Sequence, residues 1–200
     1  MAPHFILEEL GVDFELELVD RKSDQQKSAG YLKLNPAGRI PTLVDNGMAL
    51  FESPAICLHL AESHIEKGLI PALGDKNRAQ CLQWLMYLTN TLQAELMVYF
   101  YPKRHTNQPE NAEAIGAAQE QRVIDCLALI DEQLATRPYL AGDAISVCDF
   151  FLFMLAVWSD EMKKPPLAFE HLGKYLKRLA QLKSIKTVCE KENLSLSDYQ

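Results

Sequence analysis

The residues whose types and spacing suit chemistry lie between Asn35 and Ser53, in the stretch NPAGRIPTLVDNGMALFES. An acid beside a hydroxyl, Glu52-Ser53, stands where a strand-like apolar run gives way to the helical spacing of Ala55, Ile56, Leu58, His59 and Leu60. That change of period predicts Ser53 as the N-cap of a helix. The free N–H groups and positive dipole end of such a helix form a site for a small carboxylate. Just upstream, the runs Thr42–Val44 and Met48–Phe51 flank Asn46-Gly47, a pair that adopts the positive φ values of a type I′ turn. The stretch therefore reads as a loop, a hairpin and a helix start.

Other chemistries find less support. The sequence has no G-x-G-x-x-G, P-loop or G-x-S-x-G pattern. His59 and His64 sit five residues apart, which puts them about 140° apart on a helix, and His4, His105 and His171 lie far from them, so no metal site is expected. The five cysteines, Cys57, Cys81, Cys126, Cys148 and Cys189, are odd in number, widely spaced and set in apolar helical patterns. They read as reduced core thiols. Cys57 stands apart because it lies in a helix N-terminal turn near Ser53, where a thiol's pKa can fall. A formal charge of −7 and a pI near 5.3 argue against nucleic-acid and anionic-membrane partners. The basic clusters Lys163–Lys164 and Lys174–Arg178 read as solvated helix surface. No apolar run approaches the ~18–20 residues of a membrane span and no signal-peptide core is evident, so a cytoplasmic protein is expected.

The elements that must position Glu52 and Ser53 follow from periodicity, and 48% hydrophobic content is ample for a core. Ala2 to Leu10 has helical spacing, with Gly11 as its C′ residue and no N-cap side chain. Phe14, Leu16 and Leu18 alternate with polar neighbours and predict a half-buried strand. Arg21 to Leu34 reads as a loose helix or a loop. Gly68, Pro71 and Gly74 mark residues 65–75 as a linker between a domain at 1–64 and an all-helical domain at 76–200. Cys81, Leu85, Leu88, Leu92, Leu96 and Tyr99 predict one long amphipathic helix from Lys76 to about Tyr101, ended or kinked by Pro102. A second long helix follows Pro109 and breaks before Pro138. Within YLAGDAISVCDFFLFMLAVW, Ser146 and Asp149 form an S-x-x-D capping box, with Ile145 and Phe150 as a hydrophobic staple. The helix behind the box is apolar on nearly every face, as the centre of a bundle must be.

These two signals carry a resemblance. N-P-x-G-x-I/V-P followed by a hairpin and E/Q-S resembles the glutathione-binding half of the cytosolic glutathione S-transferases of bacterial type. The capped apolar helix strongly resembles the core helix of that family's C-terminal domain. The fold implied is an α/β thioredoxin-like N-terminal domain plus an all-α helical-bundle C-terminal domain. The resemblance implies a cis peptide before Pro41, with the Ile40 backbone pairing with the cysteinyl part of glutathione like an added strand. It further implies that Glu52 and Ser53 bind the γ-glutamyl amine and carboxylate, that Arg39 reaches an outer carboxylate, and that Ser146 and Asp149 serve folding alone. Tyr99, Tyr101 and His105 lie at the helix end that borders the family's electrophile pocket; partly exposed aromatics at a helix end are the plainer reading.

One part of the family pattern has no counterpart here. In the family a first strand, then a loop carrying a catalytic Tyr, Ser or Cys, precede a segment similar to APHFILEELG, a difference of roughly ten residues. The catalytic residue is accordingly unknown. Unpaired strand edges in that position cost on the order of 1–3 kcal/mol per buried backbone group. Three arrangements would relieve this: a start further upstream, direct closure of the Phe14–Val19 strand on the hairpin, or a second chain covering the edge. The function implied is conjugation of glutathione, as co-substrate, to a small apolar electrophile in detoxification, by a homodimer with no metal. The alternatives are a non-catalytic binding or interaction protein of this fold and a glutathione-dependent thiol reductase.

Overall fold

A computed structural model describes all 200 residues. Helix α1 (Ala2–Leu10) ends in the left-handed Gly11, φ 66°, whose N–H returns to the Leu7 and Glu8 carbonyls. Residues 12–20 follow without regular structure, and α2 (Ala29–Leu34) is capped by the Ser28 side chain, which accepts from the Tyr31 N–H. Strands β1 (Thr42–Asp45) and β2 (Met48–Phe51) form the whole of a two-stranded antiparallel sheet, with Thr42 opposite Phe51 and Asp45 opposite Met48. Asn46 and Gly47 both take positive φ, 48° and 81°, as a type I′ turn requires. Helix α3 (Ser53–Ser63) leaves the hairpin directly.

The remainder is helical: α4 (Lys76–Tyr87), α5 (Gln93–Phe100), α6 (Ala112–Leu134), α7 (Val147–Trp158), α8 (Glu170–Leu179) and α9 (Lys183–Lys191). The long helix predicted from Lys76 is helical throughout but contains a π turn at Leu88–Leu92 between α4 and α5. Both ends of that turn are buried leucines, so the extra residue shifts the register by which α5 meets the core. No helix is long and apolar enough to cross a membrane.

One expectation fails on packing grounds. Phe14, Leu16 and Leu18 form no strand, and Leu16 and Leu18 are exposed. Alternation defines a face, but a strand also needs a ladder partner, and the hairpin does not supply one, which removes direct closure as an arrangement. Residues 65–75 contribute to the core. Leu69 and Ile70 are buried, and the Leu69 carbonyl accepts from the Val147 N–H at 2.9 Å.

Helix α7 is the centre. Every residue from Val147 to Ala156 is buried, and Phe150 and Phe153 meet the ring of Phe5 on α1 at 6.5 and 5.9 Å. Its N-terminus is tied by the predicted capping box. Asp149 Oδ2 accepts from the Ser146 N–H at 2.6 Å and the Ser146 hydroxyl at 3.1 Å, and Ser146 Oγ accepts from the Cys148 N–H at 3.3 Å. Asp149 Oδ1 accepts from the Leu140 N–H at 3.0 Å and from the Tyr175 hydroxyl of α8. Burial pushes the Asp149 carboxyl above its ordinary value, and the donors oppose that rise.

Asp149→Ala strands several of these buried donors at once and is expected to cost at least about 3 kcal/mol, lowering Tm by roughly 6–12 °C. Ser146→Ala, which removes one cap, costs about 1 kcal/mol. Thermal melts of both variants check the order; equal losses would remove Asp149 from its place as the hub.

Candidate functional site

The cross-strand register puts the residues singled out by sequence at one end of the hairpin. Because Thr42 faces Phe51, Ile40-Pro41 enter the sheet where Glu52-Ser53 leave it. The loop before β1 is held by two side chains. Asn35, buried, accepts from the Ala37 N–H at 3.0 Å and donates to the Arg39 carbonyl at 2.8 Å and to Thr42 Oγ1 at 3.3 Å. The Tyr31 hydroxyl donates to the same Arg39 carbonyl at 2.8 Å and lies 2.8 Å from Thr42 Oγ1. Gly38 is required as well: at φ 57°, an added Cβ would fall 2.7 Å from Lys27 Nζ and 3.0 Å from the Gln26 carbonyl oxygen.

That pinned loop presents a cis Ile40–Pro41 peptide. Neither the N–H nor the C=O of Ile40 has a protein hydrogen-bond partner, and its side chain is 45% exposed. A backbone segment with both groups free of protein partners can pair with a second, extended chain. Arg39, beside it, is exposed and forms no ion pair with any carboxylate of the chain.

At the other side of the same end, the N-cap of α3 is Glu52 and not Ser53. The Glu52 carbonyl already accepts from the Ile56 N–H at 3.0 Å, which closes the first turn one residue earlier than the pattern predicts. Pro54, with its fixed φ and missing N–H, suits the first turn that results. No side chain caps this helix, so its first amides face outward and remain available to an anion. Glu52 is exposed and takes φ 69°, ψ 109°, a backbone region that costs a non-glycine residue about 1–3 kcal/mol.

Cys57 corrects its expectation. It is fully buried, and burial pushes its thiol up to about 12, far from a reactive value. Tyr99, on α5, is half-buried and edge-on to Phe100 at 5.4 Å. Tyr101 follows α5 with the Arg104 guanidinium 4.1 Å from its ring centre, and His105 is exposed in the 3₁₀ turn Pro102–His105. A concavity of about 520 Å³ lies elsewhere, between α4 and α6, lined by Gln83, Trp84, Tyr87, Leu129, Glu132 and Gln133. None of the residues singled out by sequence lines it. No group of three or more His, Cys, Asp or Glu is placed to hold a metal ion. Sequence reasoning missed Tyr31, whose role depends on a contact eight residues away; its signal was an aromatic with a hydroxyl just before the Asn35 turn.

A thioredoxin-like N-terminal half joined to a helical C-terminal half defines the class of protein. Residues 1–62 match the profile described as "Glutathione S-transferase, N-terminal domain", and residues 90–183 match "Glutathione S-transferase, C-terminal domain". Glutathione S-transferase GstA of Escherichia coli O157:H7 is 27% identical over 196 residues, 97% of this chain and 94% of that protein. Glutathione S-transferase F10 of Arabidopsis thaliana is 34% identical over 72% of this chain and 68% of its own length. The structure of a sphingomonad glutathione S-transferase complexed with glutathione superposes with a TM-score of 0.85 at 31% identity, covering 97% of this chain and 94% of that one. This chain belongs to the glutathione S-transferase family.

Two outcomes test the local geometry. Glu52→Gly removes the positive-φ cost and is expected to raise stability by about 1 kcal/mol, read as a higher denaturant midpoint; a lower midpoint would show that the side chain holds the fold. Under native conditions iodoacetamide is expected to modify the half-exposed Cys126 while Cys57 stays protected. Modification of Cys57 at the same rate would contradict its burial.

Proposed function

We propose that the chain binds glutathione across the hairpin end and conjugates its thiolate to a small apolar electrophile. Family membership supports the transferase activity, and the free backbone of Ile40 is the single observation that carries the binding mode. In this reading the cysteinyl backbone of glutathione pairs with Ile40, as an added strand pairs with a sheet edge. The γ-glutamyl carboxylate takes the Ser53 hydroxyl and the open amides at the start of α3, and Glu52 takes the γ-glutamyl amine. Arg39 reaches an outer carboxylate. The strained backbone of Glu52 fits a residue held for binding and not for packing.

The chemistry needs thiolate. A cysteinyl thiol near its ordinary pKa of ~8.5 is mostly protonated at pH 7, so a donor must lower that value. The thiolate then attacks an electrophilic carbon, a carbon–sulfur bond forms, and the leaving group departs with its electron pair. No residue of this chain is assigned as the donor. Tyr99, Tyr101 and His105 are proposed to border the electrophile, and Pro41 to hold the turn. We place the division of the chain at 1–64, 65–75 and 76–200, and read the protein as a cytoplasmic homodimer.

Retention on immobilised glutathione together with turnover of a chloronitroarene is the expected result. Retention without turnover would favour a non-catalytic binding protein, and activity on a glutathionyl mixed disulfide alone would favour a reductase. Ser53→Ala is expected to weaken glutathione binding about 10-fold or more, since a hydrogen bond to a charged group is lost. An unchanged affinity would remove Ser53 from the site.

A further inference from the structure

We propose that Cys81 and Cys148 are a redox pair that peroxides convert to a disulfide joining α4 to α7. The two sulfurs lie 3.7 Å apart, both fully buried, and the Cys148 thiol donates to the Cys81 carbonyl oxygen at 3.0 Å. Cys57, Cys126 and Cys189 have no sulfur neighbour of this kind. Neither sulfur is used by the glutathione site or by the Asp149 hub, although Cys148 is the second residue of α7 and sits inside the capping box.

The surroundings make the two thiols unequal. Its contact with Cys148, aided by Ser146 and by the Arg78 charge, lowers the Cys81 thiol from its ordinary value against the opposing effects of burial and Asp149. The neighbouring Cys81 sulfur, burial and the Asp149 carboxylate push the Cys148 thiol well above its own. The Cys148 S–H is held by the Cys81 carbonyl oxygen, which leaves Cys81 as the attacking sulfur and Cys148 as the resolving one. Cys81 lies in the second turn of α4, and the turn before it, Lys76 to Arg78, is exposed or half-buried.

The Cys81 thiolate attacks a peroxide oxygen, the O–O bond breaks, and water or an alcohol leaves, giving a sulfenic acid. The Cys148 sulfur then attacks the Cys81 sulfur, the S–S bond forms, and the hydroxyl departs as water with the Cys148 proton. Two thiols lose two electrons and two protons, and one peroxide is reduced. The sulfurs must close by about 1.6 Å from their resting contact to reach bonding distance. The bond would tie positions 67 residues apart in sequence, fixing the first bundle helix to the central one.

The test is treatment of the whole protein with hydrogen peroxide below its Tm, in a Cys126→Ser background, followed by alkylation of remaining thiols under denaturing conditions and peptide mass mapping. The expected product is a Cys81–Cys148 linked peptide pair lighter by two hydrogens, with Cys57 and Cys189 alkylated. Tm should rise by roughly 5–10 °C and return on reduction, and neither change should occur in Cys148→Ala. Recovery of Cys81 and Cys148 as alkylated thiols would overturn the proposal. So would their recovery as sulfinic acids without a linked pair. Because the map is read on a chain with both cysteines in place, a folding defect in Cys148→Ala leaves the test intact.

Discussion

A carboxylate without solvent contact, Asp149, is the constraint on which the structure rests. Taking a carboxylate out of water is costly unless donors replace the water, and here the loop before α7, the start of α7 and helix α8 each supply at least one. The arrangement fixes where α7 begins, and α7 is the surface on which the N-terminal half sits, through the contacts of Phe150 and Phe153 with Phe5. Helix α3, whose first amides form part of the candidate site, packs on both α1 and α7. The position of Ser53 is thus linked, through α3 and α7, to a buried group that touches no substrate in the proposed reading.

At the hairpin end the logic is reversed. There, hydrogen-bonding groups are left open while their neighbours are satisfied. Asn35 and Tyr31 saturate the Arg39 carbonyl and the Thr42 hydroxyl, yet the Ile40 backbone has no partner and α3 has no side-chain cap. Side-chain caps are made at Ser28, Asp75 and Ser146. Open backbone next to carefully closed backbone is what a peptide-binding edge requires.

The hairpin and the capping box were legible in the sequence because each rests on local chemistry: Asn46-Gly47 for positive φ, and Ser146 with Asp149 for reciprocal capping. What was not legible depended on distant partners. Phe14, Leu16 and Leu18 alternate as a strand would, but the residues that would hydrogen-bond to them are not encoded in that run. Glu52 displaced Ser53 as N-cap because the first turn is set by which carbonyl Ile56 reaches, and a hydroxyl in the pattern does not decide that. Leu69 and Ile70, embedded among glycine and proline, were overlooked as core. The Cys81–Cys148 contact joins two patterns that each read only as buried apolar helix.

Glutathione is proposed to pair with the Ile40 backbone and to end on the first turn of α3. Amide-resolved NMR during a glutathione titration tests it most directly. Perturbation should be strongest at the Ile40, Ser53 and Ala55 amides and saturate together. Shifts concentrated around Trp84 and Tyr87 in the α4–α6 concavity, with Ile40 unmoved, would contradict it.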